Sequence, residues 1–312
     1  MKSILSFFQK PFRYAICFAL VLTGFSVFVL LDTFVIEKVY AVLGNPVIEE
    51  TAPGEDTETP EIVPAVIGPV ITDMSYFDEN IDLKIEKFDE NGAVFYVAEL
   101  KLSAPKYMRA ALANGKFGKN ITAKTSVMAK ESNALFAVNG DYCGYKDNGG
   151  IMRNGQILRV RPREYGRCGL VIDKNGDLLI IDENDLTRKK LEEINAIQCF
   201  SFGPTLIIDG EININDTGIS KDRNPRTAIG QIEPLHYIFI VVDGRTKLSK
   251  GMKFPQLAEE FQKRGCVTAY NLDGGGSSTM WFNGKVINSP HDGKRAGERE
   301  ISDIIYIAGG TK

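Results

Sequence analysis

Asp273 is followed by Gly274-Gly275-Gly276 and then by three hydroxyls, Ser277, Ser278 and Thr279. The run lies between two apolar segments that read as strands, Val267 to Tyr270 and Met280 to Phe282. Three consecutive glycines cost chain entropy, so something must require them. They permit positive φ and let backbone N–H groups face an anion closely, forming a nest. The hydroxyls add donors for phosphate oxygens or sugar hydroxyls. Asp273, at a strand end, is placed for acid/base work or for holding a metal ion. The competing structural reading is a tight loop with a capping aspartate. A nucleotide P-loop is a poor match, because no lysine follows the glycines at the required spacing.

Three further clusters could join it. Asn139-Gly140-Asp141-Tyr142-Cys143 closes the apolar run Leu135 to Val138. There Asn139, with Gly140, can orient a ligand hydroxyl or phosphate and Asp141 can move a proton, although Asn-Gly is also a common turn. Arg226, followed by Thr227, opens a strand after a charged loop, where its planar guanidinium can grip phosphate with two bonds. Asp243-Gly244-Arg245 ends the strand Tyr237 to Val242, and reads equally as a turn of solvated charges. Beyond these, Ser289-Pro290-His291-Asp292-Gly293 leads to Gly297-Glu298-Arg299-Glu300 and carries one of two histidines. The other, His236, sits beside an apolar strand and reads as structural.

The elements that must hold these residues are mostly strands. Val94 to Ala98, Leu178 to Ile181 and Tyr237 to Val242 alternate or run apolar as strands do. Asn175-Gly176, Asp209-Gly210 and Asn283-Gly284 each separate two apolar runs, as hairpins require. Helices are expected over Asp185 to Ile194 and over Pro255 to Arg264, the latter opening on proline and stopping at Gly265. The fold class is therefore α+β. One domain is expected over residues 73–312, with a mixed β-sheet, several hairpins and a few flanking helices.

The N-terminal part is of another kind. Lys2, Lys10 and Arg13 precede an apolar run from Tyr14 that reaches Ile36, close to the ~20 residues a bilayer-spanning helix needs. The positive flank keeps residues 1–13 in the cytoplasm. Residues 14–36 then form a signal anchor, and the rest is a single-pass extracytoplasmic domain at the cell membrane. The alternative is a cleaved signal peptide ending near Val39-Tyr40-Ala41, and both readings export the remainder. Residues 37–72 read as an acidic, proline-rich linker, because Gly44 to Thr72 holds Pro46, Pro53, Pro60, Pro64 and Pro69 and no Lys or Arg.

Composition excludes some partners. A net charge of −3 offers no basic face for nucleic acid. The five cysteines show no ligand pairing, which excludes a zinc site. An oxidising compartment leaves both disulfides and buried thiols open. The sequence requires no cofactor. A divalent ion among Asp141, Asp243 and Asp273 belongs to a rival reading as a metal-dependent phosphodiesterase, and no spacing calls for it.

Taken in order, Asn139-Gly140, Asn-Pro-Arg-Thr-Ala-Ile-Gly from Asn224, Val-Val-Asp-Gly-Arg to Arg245, Asn-Leu-Asp-Gly-Gly-Gly-Ser-Ser-Thr from Asn271, and Gly297-Glu298-Arg299 resemble the phosphodiester glycosidase family. The resemblance covers roughly Tyr107 to Gly309. Asp141-Tyr142-Cys143 departs from the family's usual glycine and aromatic continuation, so no catalytic role passes to Asp141. The resemblance implies a hydrolase that cleaves the glycosidic bond of a sugar-1-phosphodiester. Charge stabilisation would come from Arg226, Arg299 and the amides of Gly274 to Gly276. Asp273 would be the working carboxylate, with Asp243 in reserve. Asn139, Gly140, Thr227, Arg245, Ser277, Ser278 and Glu298 would contact substrate. A surface-polysaccharide binding or assembly protein without turnover would use the same groups.

Overall fold

The computed structural model describes residues 11–43, 68–162, 167–214 and 222–309. Lys2, Lys10 and most of the acidic stretch, residues 44–67, lie outside the described residues.

A helix spans Pro11–Phe34, and its 23-residue Phe12–Phe34 portion is long and apolar enough to cross a membrane. Its apolar side chains stay exposed almost throughout, as on a helix that has no protein core to face. The chain joins the folded body at once. Lys38–Val42 pairs antiparallel with Lys116–Lys119, and the Asn120 amide donates to the carbonyls of Thr33 (3.2 Å) and Ile36 (2.9 Å). The predicted linker thus begins with a strand. The reason is local: the Tyr40 ring meets Phe117 edge-on at 6.0 Å, and Ala41 and Leu43 pack on the same small core.

The largest sheet has nine strands. Its interior runs Thr205–Ile208, Thr268–Asn271, Arg226–Glu233, His236–Val242, Ala93–Leu102 and Ile81–Glu90. His236–Val242 is buried along its whole length, and its period of two explains how. Tyr237, Phe239 and Val241 enter one core, while Ile238, Ile240 and Val242 enter another beneath the helix Phe254–Lys263. Burying each such side chain stabilises the fold by about 1.5–3 kcal/mol.

A five-stranded sheet centred on Met280–Phe282, Ala134–Asn139 and Asp303–Ala308 packs across the first core, where Phe136 meets Phe239 edge-on at 5.2 Å. A second five-stranded sheet adds Leu170, Ile172, Leu178 and Phe200 to that core. The α+β class and the hairpins stand. The mixed sheet does not: each pairing of described strands is antiparallel. Hairpin turns impose this on consecutive strands such as Arg226–Glu233 with His236–Val242, since a parallel pair would need a long crossover. Asp209 and Gly210 both hold positive φ, as a tight hairpin turn requires. The predicted helix over Asp185 to Ile194 shortens to Arg188–Glu193, because Thr187 caps it by accepting from the Lys190 amide at 3.1 Å. All five cysteines are free. Burial pushes the Cys266 thiol up to about 12.

Antiparallel order brings distant residues to one end of the molecule. Arg226 starts its strand opposite Val242, which ends the next, and Ala228 lies opposite Asn271. In the facing sheet Met280 pairs with Val138, and Asn139 with Ile304. Asn139, Arg226, Asp243, Asp273 and Thr279 therefore emerge at the same edge. His236 is at the far end of its strand, held by Glu99 (2.8 Å) and Glu233 (3.3 Å), which agrees with its structural reading.

Candidate active site

Asn139 lies at the centre of this edge, fully buried. Its amide donates to the Asp273 carbonyl at 2.7 Å, and its Oδ1 accepts from Thr227 Oγ1 (2.7 Å) and the Thr279 amide (3.3 Å). Asn139 and Thr227 were expected to meet a ligand; instead they hold three segments together. Buried polar groups must find partners, and these found them inside the protein. Gly140 works similarly, donating to the Asp303 carbonyl (2.8 Å) and accepting from the Asp273 amide (3.0 Å). A β-carbon there would fall 2.2 Å from Asp303 Oδ2.

Asp273 is 6% exposed. Its Oδ1 accepts from the Gly274 amide at 2.8 Å, and its Oδ2 from Ser277 Oγ at 2.5 Å and Arg299 Nη2 at 3.2 Å. Burial raises its pKa, against the pull of Ser277 and Arg299. Asp243, also buried, takes Asn288 Nδ2 and the Ser289 amide on Oδ1, both at 2.9 Å, and burial raises it too.

The glycine run does not form an open nest. The Gly274 amide is bound to Asp273, and the Gly275 amide to the Pro225 carbonyl at 3.0 Å. What demands glycine is close packing. A β-carbon on Gly275, whose φ is +64, would lie 2.8 Å from Arg245 Nη2, and one on Gly276 would lie 2.3 Å from Asp292 Oδ1. Ser277 joins Asp273 and Arg299, while the Ser278 hydroxyl is buried without a partner. Glu298 is turned away: its carboxylate takes the Ser126 amide (2.9 Å) and hydroxyl (2.6 Å) at the start of the helix Thr125–Glu131.

Arg226 carries the clearest electrostatic signal. It is 7% exposed, its guanidinium lies 3.7 Å over the Phe254 ring, and among the described residues it donates to the carbonyls of Met252 and Asp222. Among the described residues it has no carboxylate partner in an ion pair. Burial lowers its pKa to about 10, and the neighbouring Arg245 charge adds to that. The Asp222 charge offsets this only in part. A buried cation without a close ion pair is costly, so an external anion is welcome there. Arg245, itself at φ +63, and Arg299 extend the positive row.

Behind Gly140 lies a sealed cluster. Arg153, wholly buried, pairs with Asp141 (2.9 Å) and Asp303 (2.6 Å) and stacks 3.9 Å over Phe200. Asp141 also takes the Ser201 amide at 2.7 Å. Burial, then the Asp141 charge, raises Asp303 to about 7. Asp141, Cys143 and Asp303 are close enough to share an ion, but Arg153 already places positive charge on both carboxylates. Asp141, Asp243 and Asp273 do not form such a group among the described residues.

The sequence reading missed Arg153, Asp303 and Asp292. In the sequence Asp292 stands only within the loop Ser289 to Gly293, with no role of its own, and no motif marks Arg153 or Asp303. A depression of about 500 Å³ lined by Ile180, Asp182, Lys189 and Lys190 lies elsewhere, and no candidate residue lines it.

The comparisons with known proteins bear on this edge. A family model described as phosphodiester glycosidase matches residues 132–308. The chain is 39% identical over 197 residues to N-acetylglucosamine-1-phosphodiester alpha-N-acetylglucosaminidase of Homo sapiens, covering 53% of this chain and 38% of that protein. It is 30% identical over 190 residues to the SPbeta prophage-derived uncharacterized protein YomE of Bacillus subtilis (strain 168), 58% of this chain and 29% of that one. The matches thus span well under half of these relatives. Among solved structures, the zebrafish N-acetylglucosamine-1-phosphodiester alpha-N-acetylglucosaminidase catalytic domain, auto-inhibited by its pro-peptide, superposes with a TM-score of 0.60 at 24% identity, over 74% of this chain and 83% of that one. A hypothetical protein from Synechocystis gives 0.51 at 16% identity, over 73% and 62%. At these identities the likeness is one of fold.

Proposed function

This chain belongs to the phosphodiester glycosidase family, and on that premise we propose that it hydrolyses the glycosidic bond of a sugar-1-phosphodiester outside the cytoplasm, held at the membrane by its N-terminal helix. The observation that carries the reading is the buried Arg226 guanidinium, beside Arg245 and without an ion-paired carboxylate among the described residues. A glycosyl phosphodiester presents one negative charge, and its phosphate gains a second as the sugar–oxygen bond breaks. Guanidiniums fixed beforehand stabilise that developing charge most, because they need not reorganise. Arg226 and Arg245 take the phosphate. Arg299, pinned by Asp273 and Ser277, guards the sugar side.

The test is a panel of sugar-1-phosphodiesters given to the full chain in detergent micelles, with and without chelator. Release of free sugar and a phosphate monoester, indifferent to chelator, is the expected result. Binding without turnover would favour an assembly protein, and loss of activity on chelation a metal-dependent phosphodiesterase. For topology, protease added outside intact cells is expected to cut within residues 44–67 and free the domain; protection until lysis would overturn the exported reading.

A further inference from the structure

Five charged side chains follow one another across the edge: Arg226, Arg245, Asp292, Arg299 and Asp273. The order rests on contacts. Gly244 sits against Pro225, where a β-carbon would be 2.9 Å from the Pro225 nitrogen, and this brings Arg245 beside Arg226. Asp292 Oδ1 lies 4.0 Å from Arg245 Nη1 and 3.7 Å from Arg299 Nη1. Arg299 in turn reaches Asp273 at 3.2 Å. Among the described residues no carboxylate lies within ion-pairing distance of Arg226, and Arg245 beside it has only the 4.0 Å contact with Asp292, so the substrate phosphate belongs on Arg226 and Arg245. The anomeric carbon is one bond beyond a phosphate oxygen. The next group along the row is Asp292.

The carboxylates differ in what they have free. A general base needs a lone pair within reach of its proton. Both oxygens of Asp273 accept hydrogen bonds, and the residue is closed to solvent. Asp243 is buried and bound to Asn288 and Ser289. The Asp292 side chain is 45% exposed, and its contacts with the two guanidiniums are too long for hydrogen bonds. It ends the first strand of a two-residue pair, His291–Asp292 with Arg295–Ala296, and is seated over Gly276, where any β-carbon would collide with it. Tyr142, at φ +63 and 5.7 Å from the Arg299 guanidinium, flanks the same space.

We infer that Asp292 is the catalytic carboxylate of this site, taking the proton of the water that attacks the anomeric carbon, and that Asp273 is a positioning residue that fixes Arg299. This rests on the glycosyl phosphodiester reading above. The water oxygen bonds to the anomeric carbon as the bond from that carbon to the phosphate oxygen breaks. The bonding electron pair leaves with the phosphate monoester. Asp292 accepts the water proton and returns it to solvent.

Asp292→Ala, Asp292→Asn and Asp273→Ala are compared with wild type as full chains in micelles, with melting temperature recorded for each. Both Asp292 variants are expected to lose at least ~100-fold in turnover. Inorganic phosphate should bind them within about threefold of wild type or more tightly, because a neighbouring negative charge is gone. Azide needs no base, so it should restore sugar release from Asp292→Ala as the glycosyl azide, and should not restore Asp273→Ala. An active wild type with an active Asp292→Ala overturns the assignment alone. So does phosphate binding that collapses along with turnover, or azide that rescues nothing. A wild type inactive on the whole panel overturns the reaction and the assignment together, which separates the two failures.

Discussion

Two arginine–aspartate clusters meet at Gly140 and are built for opposite ends. In the sealed one, Arg153 bridges Asp141 and Asp303 with all three side chains at most 1% exposed. In the open one, Arg245, Arg299 and Asp292 keep a third to nearly half of their side chains in solvent, at contacts of 3.7–4.0 Å. Gly140 joins the two by binding the Asp303 carbonyl and the Asp273 amide. Charge that is paired and dry fixes a backbone; charge that is held at longer contacts and stays wet is free to meet a substrate. The same residue types therefore serve as mortar in one place and as a reacting surface in the other.

The contrast predicts where each substitution registers. The largest effect is expected from Arg153→Met, which leaves two buried carboxylates facing each other and should cost about 3–5 kcal/mol of stability. Denaturant unfolding measures it, and an unchanged midpoint would deny that the sealed cluster is structural. Asp273→Asn should keep the fold and lose about 100-fold in turnover, because Arg299 loses the charged anchor that positions it. If stability falls and the remaining folded enzyme is fully active, Asp273 belongs with the sealed cluster.

Arg226→Lys follows, at roughly ten- to hundredfold in kcat/KM with little change in melting temperature, since an ammonium cannot reproduce a planar two-bond grip. Gly275→Ala should weaken phosphate binding by about tenfold, because the residue holds positive φ and presses on Arg245. Phosphate titration of the folded variant reports it.

The smallest effect is a pH slope. Asp303 is raised to about 7 in the fold, against about 4 for a free carboxyl. Between those values the native state holds more proton than the unfolded chain, so this group's contribution to stability declines as pH rises. Melting temperature should fall more steeply from pH 5 to 7 in wild type than in Asp303→Asn; equal slopes would remove Asp303 as the source.

Much of this was legible in the chain. The strand from Tyr237 to Val242 reads from its apolar run, the hairpins from their Asn-Gly and Asp-Gly pairs, and the N-terminal helix from its length and apolarity, because each is a local property of consecutive residues. The motif order around Pro-Arg-Thr-Ala-Ile-Gly and Asp-Gly-Gly-Gly-Ser-Ser pointed to the family for the same reason. What a polar side chain faces is not local. Asn139, Thr227 and Glu298 look like ligand groups in the sequence and are bound inside the protein, since partners up to 172 positions away claim them. Asp292 is one loop residue among others in the sequence and stands between two guanidiniums contributed by other loops. Three glycines announced a close approach, but only the packed loops decided that the approaching groups are Arg245 and Asp292. Sequence fixes which residues arrive at strand ends; the antiparallel register and the burial it creates decide which of them remain free to do chemistry.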